Sequence, residues 1–240
     1  MPMTTLLSHG PPAPAITAGF STRPDGNVSL ALGDDPAAVH RTRAAILDAA
    51  GLGGLPVATV RQVHGARCVT VDPFYLEREP YQADGMVTAS PRIVLMIGVA
   101  DCVPIVLADP FAGCVGVLHA GWRGLHAGIV EAGINALVAL GGDPGRIHAW
   151  LGPSICPDCY PVGQHTRAQV TRRYPQGAAV TPAGEGSLDL IAASVEALRN
   201  AGVDKRDIVG ECTLENPARW FSRRRDGRSG VQAALVAISR

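Results

Sequence analysis

Apolar runs alternate with glycine, proline and acidic residues along the whole chain, and this pattern predicts a mixture of strands and helices. Helical spacing of apolar positions predicts helices over residues 37–50, 124–140, 163–174 and 188–201, three of which stop at a glycine. Short apolar runs predict strands over 16–21, 57–63, 66–71, 86–88, 93–99, 105–107, 115–118, 147–151, 208–212 and 231–238. The helices are too few for a regular strand–helix alternation, so we expect one mixed α/β domain with a partly antiparallel sheet.

The beginning of the chain differs from the rest. Residues 1–15 are rich in proline and predict a flexible tail, which leaves 16–240 as a single catalytic domain. They lack the basic and apolar regions of a signal peptide. The most apolar run, 93–99, is too short to span a bilayer. The sequence therefore predicts a cytoplasmic protein without a membrane partner.

Charge and cysteine content narrow the function classes. The 21 Lys and Arg balance 21 Asp and Glu, which argues against a nucleic-acid binder driven by phosphate attraction but allows a small anion held by a few arginines. Six cysteines without a secretory signal indicate free thiols or metal ligands rather than disulfides. Protein partners are left open by this composition.

Three segments carry candidate metal ligands. Residues 61–65, 100–104 and 119–124 each adjoin an apolar run, and they contain His64, Cys102 and His119. Two imidazoles and one thiol form the three-ligand set of a catalytic zinc, which keeps a fourth position open. Taken singly, such a histidine or cysteine is more often structural. Asp101 is either a carboxylate that assists the site as a general base or outer partner, or an ordinary turn residue.

Two basic positions are candidates for binding an anion. Arg123 stands at the start of the predicted helix 124–140, where a guanidinium and a helix N-terminus would both favour an anion. Arg224 and Arg225 lie with Arg223 in a basic turn that follows two aromatic residues. The alternatives are a surface salt bridge for the first and a solvated charge run for the second.

Residues 156–159 read CPDC, a spacing found in redox pairs and in halves of zinc sites. The chain has no second CxxC to complete a four-cysteine site. Glycine and proline on both sides favour a loop in a pocket wall, which makes Cys159 a candidate for contacting substrate.

Six motifs in order carry a resemblance to a known family. They are QVHG (62–65), ADGMVT (83–88), ADCVP (100–104), HAGWRG (119–124), LGPSI (151–155) and RRDG (224–227). From about residue 19 onward the chain resembles the YfiH-like family, also called laccase-domain or polyphenol-oxidase-like proteins. The resemblance implies a single-domain layered αββα sandwich with a mixed sheet, and a zinc site on His64, Cys102 and His119.

The same resemblance implies purine nucleoside chemistry. The expected reactions are phosphorolysis of adenosine, inosine, guanosine and methylthioadenosine, and deamination of adenosine. Zinc would activate a water, and Asp101 would carry the proton. Phosphate would be held by Arg123, Arg224 and Arg225. Gln62 and Cys159 are assigned to the substrate side of the site. A metal-free Cys102 paired with a histidine would instead be a nucleophile or base.

Three alternatives stay open at the level of sequence. The first is a hydrolase that edits peptidoglycan precursors, to which bacterial family members are linked. The second is copper-dependent phenol oxidation, although seven histidines without a His-x-His pair are few for a multicopper centre; copper would occupy the zinc ligands adventitiously. The third is a non-enzymatic metal-binding protein, with Cys159 as the fourth ligand.

The chain departs from the family pattern at three positions. Ala31 stands where members usually have asparagine, and Cys156 and Asp158 replace glycine and cysteine in the usual GPCCY motif. We expect these changes to alter the pocket wall.

Overall fold

The computed structural model describes residues 15–77, 80–228 and 230–239. The predicted tail, apart from Ala15, lies outside these residues. In chain order the described strands and helices are β1 (Ile16–Phe20), α1 (Pro36–Ala49), β2 (Val57–Ala58), β3 (Cys68–Thr70), β4 (Gly85–Thr88), β5 (Val94–Val99), β6 (Val103–Asp109), β7 (Cys114–Ala120), α2 (Trp122–Ala127), α3 (Ile129–Ala139), β8 (His148–Leu151), α4 (Gln164–Thr171), β9 (Ala178–Val180), β10 (Gly186–Leu188), α5 (Leu190–Asn200), β11 (Lys205–Ile208), α6 (Arg223–Asp226) and β12 (Gln232–Ile238).

Two mixed sheets form the centre of the molecule. The larger has the order β11-β8-β6-β7-β4-β3, antiparallel in the middle and parallel at both outer pairs. The smaller has the order β1-β12-β5-β2, with only the last pair parallel. β9 and β10 form a separate antiparallel pair. The predicted mixed sheet is therefore present as two sheets.

In the middle strands of each large sheet both faces are buried. In β5, Leu95 and Ile97 face the core between the sheets, while Val94 and Met96 pack toward Ile46 of α1. This alternation with a period of two is the geometry of an extended strand, and it explains the continuous apolar run.

The larger sheet repeats this arrangement. In β6, Val106 faces the core between the sheets, whereas Ile105 belongs to the core that Ile134 of α3 and Leu198 of α5 cover. The layers are thus helix, sheet, sheet and helix, which confirms the predicted αββα sandwich.

Several predicted boundaries are wrong. The helix predicted over 124–140 is two helices, because Gly128 adopts a left-handed backbone with φ of +93°. The strand predicted over 57–63 is only two residues long, and the last helix before β11 begins after β10 rather than at residue 188. The strand predicted over 208–212 lies earlier, at β11, where polar residues pair with β8 at the sheet edge.

Among the described helices, none has the length and apolar character needed to cross a membrane.

Candidate active site

The fold brings His64, Cys102 and His119 together. One ligand atom from each lies within 4.8 Å of the others, and we call these three residues the trio. His64 lies in the loop between β2 and β3, Cys102 in the turn between β5 and β6, and His119 near the end of β7. The trio therefore depends on both large sheets, since β5 belongs to one and β6 to the other.

Two residues at the trio have a left-handed backbone. The φ angles of His64 and Asp101 are +60° and +80°. Such conformations are unfavourable for residues with a side chain and persist only where surrounding contacts enforce them. The His64 N–H donates to Asp84 Oδ1 at 2.9 Å, and the Asp101 carbonyl accepts from Ile155 N at 3.0 Å. These bonds fix the direction in which His64 and Cys102 leave the backbone.

Asp84 organises the trio and was given no role by the sequence analysis. Its carboxylate is fully buried, accepts the backbone N–H groups of Val63, His64 and Gly65, and lies 2.8 Å from His119 Nδ1. A carboxylate on one ring nitrogen orients a histidine and leaves Nε2 for a metal. Burial raises the pKa of Asp84, but the hydrogen bonds from His119 and the backbone outweigh it and hold the pKa below its usual value. In the sequence, the one indication of this role was that Asp84 is an acidic residue of the ADGMVT motif directly before a buried strand.

Gly121 provides the space beside the trio. A Cβ at this position would lie 2.7 Å from Cys102 Sγ and 3.3 Å from His64 Cδ2. Cβ atoms do not approach other atoms to less than 3.0 Å, so a larger residue would push the thiol away. The glycine of the HAGWRG motif is thus required by the close approach of Cys102.

Cys102 and His119 perturb each other electrostatically. Burial alone raises the pKa of the Cys102 thiol, but the charge of His119 and hydrogen bonds from both histidines lower it to about 6. Burial lowers the pKa of His119, whereas Cys102 and Asp84 raise it to about 10. At neutral pH the metal-free pair is therefore a thiolate beside an imidazolium. The thiolate is the form that binds metals and attacks electrophiles.

All three members of the trio line a cavity of about 570 Å3. Among the described lining residues there are four arginines and no carboxylate; the arginines are Arg43, Arg61, Arg223 and Arg228. The 3-10 turn at Leu30–Leu32 forms part of the wall, and Ala31 lies in it. The cavity therefore favours a ligand that carries negative charge. Arg223 belongs to the basic turn singled out from the sequence, whereas Arg43, Arg61 and Arg228 were not predicted, because they come from distant parts of the chain.

Gln62 and Asp101, which were expected to serve substrate and chemistry, are both engaged by the protein. Gln62 lines the cavity, yet its amide pairs with the N–H and carbonyl of Gly98 in β5 at 3.0 and 2.8 Å. The two Asp101 carboxylate oxygens accept from Thr213 Oγ1 at 2.6 Å and from Arg224 N at 2.7 Å. Through the bond to Arg224 N, Asp101 holds the beginning of α6 next to the trio.

Tyr160 lies near the other predicted basic residues. Burial, Cys102 and Asp101 raise the pKa of Tyr160 to about 12, against the lowering effect of Arg224 and Arg123. The Arg224 guanidinium carbon lies 5.1 Å from the Tyr160 ring centroid. Arg224 thus lies beside Tyr160 and Arg123 acts on it through its charge, although neither arginine is among the described residues that line the cavity.

Arg123 and Arg225 have partners within the protein. The Arg123 guanidinium carbon lies 4.2 Å from the Trp122 ring centroid. The Arg225 guanidinium donates to the carbonyls of Thr213, Leu214 and Trp220 and to both oxygens of Asp226. Through these bonds Arg225 stabilises the loop before α6.

Cys159 lies apart from the cavity walls. Its neighbours are Cys156, Cys212 and Glu215, and one ligand atom from each of the four lies within 4.8 Å of the others. Cys159 is not among the described lining residues of the cavity.

Comparison with known proteins adds to this geometry. Residues 17–239 match the family described as multi-copper polyphenol oxidoreductase laccase. The purine nucleoside phosphorylase ORF3 of Streptomyces griseus is 40% identical over 221 residues, which cover 91% of this chain and 89% of the relative. A purine nucleoside phosphorylase of Xylella fastidiosa strain Temecula1 is 38% identical over 260 residues, covering 99% and 98%.

Two solved structures are similar over nearly all of the chain. The Bacillus licheniformis hypothetical protein YfiH has a TM-score of 0.84 at 27% identity and covers 92% of each chain. YlmD from Geobacillus stearothermophilus has a TM-score of 0.86 at 28% identity and covers 100% of each chain. These similarities agree with the resemblance indicated by the sequence motifs.

Proposed function

Because this chain belongs to the multi-copper polyphenol oxidoreductase laccase family, and because relatives covering most of it are named purine nucleoside phosphorylases, we propose that it is a purine nucleoside phosphorylase that also deaminates adenosine. Its substrates would be inorganic phosphate and adenosine, inosine, guanosine or methylthioadenosine. The predicted cytoplasmic location is compatible with these substrates and is part of the proposal.

The observation that carries the proposal is the arginine-lined cavity that contains the trio. Its volume of about 570 Å3 falls among ligand pockets of roughly 300–1,000 Å3. Guanidinium groups bind phosphate through charge-assisted, often paired hydrogen bonds. A purine nucleoside and a phosphate therefore match both the size and the charge of this cavity.

We assign phosphate to Arg61, Arg223 and Arg228, because these residues line the cavity together with the trio. Arg224 and Arg123 are the alternative set predicted from the sequence. Arg225 is assigned to the support of α6, because its guanidinium is bonded to Asp226 and to three backbone carbonyls.

The trio fits one metal ion. Two imidazoles and a thiolate are borderline-soft donors of the kind that zinc takes. Asp84 orients His119 through Nδ1, as carboxylates commonly do for histidines that bind a metal. A zinc ion bound there would supply a Lewis acid and a water whose pKa is lowered toward about 7. Copper could compete for the same donors.

The residues around the trio hold its members and α6 in place and do not add further metal ligands. Asp84 keeps His119 and the His64 loop in place. Asp101 holds Thr213 and α6, so we assign it a positioning role in place of proton transfer. Arg223 and Arg228, in and just after α6, would then face the substrate at a fixed distance from Cys102.

Polyphenol oxidation receives less support from the site. Among the described residues that form possible metal groups, only His64 and His119 are histidines. A trinuclear or paired copper centre requires more imidazoles than these two. The proposal therefore predicts no phenol oxidation above that of free copper.

The test is product analysis by mass spectrometry with adenosine and inosine, each with and without phosphate. We expect ribose 1-phosphate and free base only when phosphate is present, and inosine from adenosine in either case. Release of an amino acid from a serine-containing peptidoglycan precursor, with unchanged nucleosides, would contradict the proposal.

Variants separate the parts of the site. Cys102→Ala should abolish both reactions. Arg223→Ala should lower phosphorolysis by at least about 10-fold, the loss of roughly one charge-assisted hydrogen bond, and should leave deamination nearly unchanged, since water replaces phosphate there. Arg199→Ala, an exposed arginine of α5, is the control. A larger effect of Arg224→Ala than of Arg223→Ala would assign phosphate to the Tyr160 side.

A further inference from the structure

We propose that Cys156, Cys159, Cys212 and Glu215 form a second zinc site, separate from the trio and structural in purpose. We call these four residues the three-cysteine site. From the sequence, CPDC was predicted to be a loop in a pocket wall, and half a zinc site was an alternative for which the chain has no second CxxC. The fold supplies the other half from a segment more than fifty residues away.

The distances between the four ligand atoms are close to those in an occupied zinc site. The three Sγ atoms and a Glu215 oxygen lie within 4.8 Å of one another. In a tetrahedral zinc site with bonds of about 2.3 Å, ligand atoms are roughly 3.8 Å apart. A contraction of about 1 Å, achieved by side-chain rotation, would therefore complete the tetrahedron.

Backbone structure presents the ligands before any ion binds. Pro157–Cys159 is a 3-10 turn in which Cys159 N donates to the Cys156 carbonyl at 3.1 Å, so both cysteines of CPDC face one side. Ser154 pairs with Cys212 in a parallel bridge, which holds the two loops together. Cys156 N also donates to Cys212 Sγ at 3.3 Å. A hydrogen bond to sulfur stabilises a ligating thiolate.

The donor set selects the kind of metal. Three thiolates and one carboxylate are soft to borderline ligands that suit zinc and exclude calcium or magnesium. Four protein ligands close the coordination shell, as in structural sites, whereas the trio leaves one position open. Cys156, Cys212 and Glu215 border a small cavity of about 250 Å3, which gives an ion access from solvent.

The position of this site indicates that it would cross-link two loops. It would join the loop after β8, which carries Tyr160, to the loop after β11, which carries Thr213. Thr213 donates to Asp101, and Arg225 of α6 donates to the Thr213 carbonyl at 2.8 Å. A bound zinc would therefore stabilise the support of α6 and, through it, the arginine wall of the active site. It would not enter the chemistry.

Metal stoichiometry tests the proposal directly. Protein purified with zinc and a non-thiol reductant should contain two zinc ions per chain. The His64→Ala variant, in which the trio is incomplete, should keep one. Cobalt substituted into that variant should show strong thiolate-to-metal absorption and tetrahedral d–d bands, and X-ray absorption should give metal–sulfur distances of about 2.3 Å.

Matched variants assign the second ion. Cys156→Ala and Glu215→Gln, each combined with His64→Ala, should lose the remaining ion or bind it at least tenfold more weakly. Cys68→Ala, which removes a thiol outside both groups, should keep it. Glu215 is exposed, so its variant tests the site without disturbing the core. In wild type, protein without this ion should have a Tm on the order of 10 °C below that of protein with free zinc at a thousand times the Kd of the site.

Two results would overturn the proposal. One is a zinc content of zero in His64→Ala with all thiols free. The other is a disulfide between two of the three cysteines in freshly purified protein, shown by two thiols that take up no alkylating reagent until the protein is reduced. Neither result would bear on nucleoside turnover, so this test is independent of the proposed function.

Discussion

Asp84→Asn offers a sharp test of how the trio is organised, because it replaces one carboxylate oxygen by an NH2 group of nearly the same size. Asp84 Oδ1 accepts from His64 N and faces His119 Nδ1, and Oδ2 accepts from Val63 N and Gly65 N. Whichever way the new amide is oriented, two of these groups lose their acceptor.

The magnitude follows from that count. A buried donor left without an acceptor costs about 1–3 kcal/mol, so the free energy of unfolding should fall by roughly 4 kcal/mol, or on the order of 10 °C in Tm for a chain of this size. Zinc affinity should fall by roughly 10- to 100-fold, the usual effect of removing a carboxylate that orients a ligating histidine.

Asp109→Asn is the matched control. Asp109 is equally buried and accepts three backbone N–H groups, those of Phe111, Ala112 and Asp143, as well as an ion pair from Arg146. Its variant should lose similar stability and no zinc affinity.

The assays are thermal unfolding with chelator present and zinc competition against a chromophoric chelator, the latter with every variant in a Cys156→Ala background that removes the three-cysteine site. If Asp84→Asn binds zinc as tightly as wild type, or loses no more affinity than Asp109→Asn, then Asp84 does not position the trio and our account of it fails.

Three further predictions concern the trio and the neighbouring Gly121. In metal-free protein the rate at which Cys102 reacts with iodoacetamide should rise with a midpoint near pH 6, and a midpoint above about 8, near that of a free thiol, would refute the pairing with His119. Because the Cys102 pKa is lowered and the His119 pKa is raised, their contribution to metal-free stability should be lost as pH falls through about 6 and again as pH rises through about 10; unfolding by urea across this range would show both losses. Gly121→Ala should fold but lose at least tenfold in zinc affinity, since its Cβ would lie 2.7 Å from Cys102 Sγ, whereas Gly163→Ala, which has open space, should bind normally; equal binding by the two variants would show that Cys102 yields freely.

The layered architecture and the trio could be predicted from sequence, for a common physical reason. Buried strands such as β5 and β6 leave uninterrupted apolar runs, and residues at their ends, such as Cys102, are marked by the polar residues that follow. The motifs around His64 and His119 then placed the ligands on a known fold. Local pattern and resemblance pointed to the same three positions.

The errors occur where tertiary structure overrides local pattern. Leu125 and Ile129 keep helical spacing across Gly128 and are both buried, so periodicity does not reveal the break in the backbone. β11 is largely exposed and polar, and it is a strand because its backbone pairs with β8.

The same limit applies to the site. Arg43 and Arg223 are 180 residues apart in the chain and line the same cavity. Asp84 gave no signal of its own beyond its motif, because its role depends on three backbone N–H groups that the fold delivers. Arg225 was predicted from the sequence to bind phosphate, and in the structure its guanidinium donates to Asp226 and to three backbone carbonyls. Charge alone does not distinguish these two uses of an arginine.

The passage of the chain from one large sheet to the other at Cys102 links metal binding to folding. β5 and β6 belong to different sheets, so a species in which the sheets have formed but not docked has His119 and Asp84 on one side and an unanchored Cys102 on the other. Such a species lacks the complete ligand set, and the binding energy of the ion is available only after docking. Uptake of metal by the trio during refolding thus reports the assembly of the two sheets, and a chain that fails at that step also leaves the trio without metal.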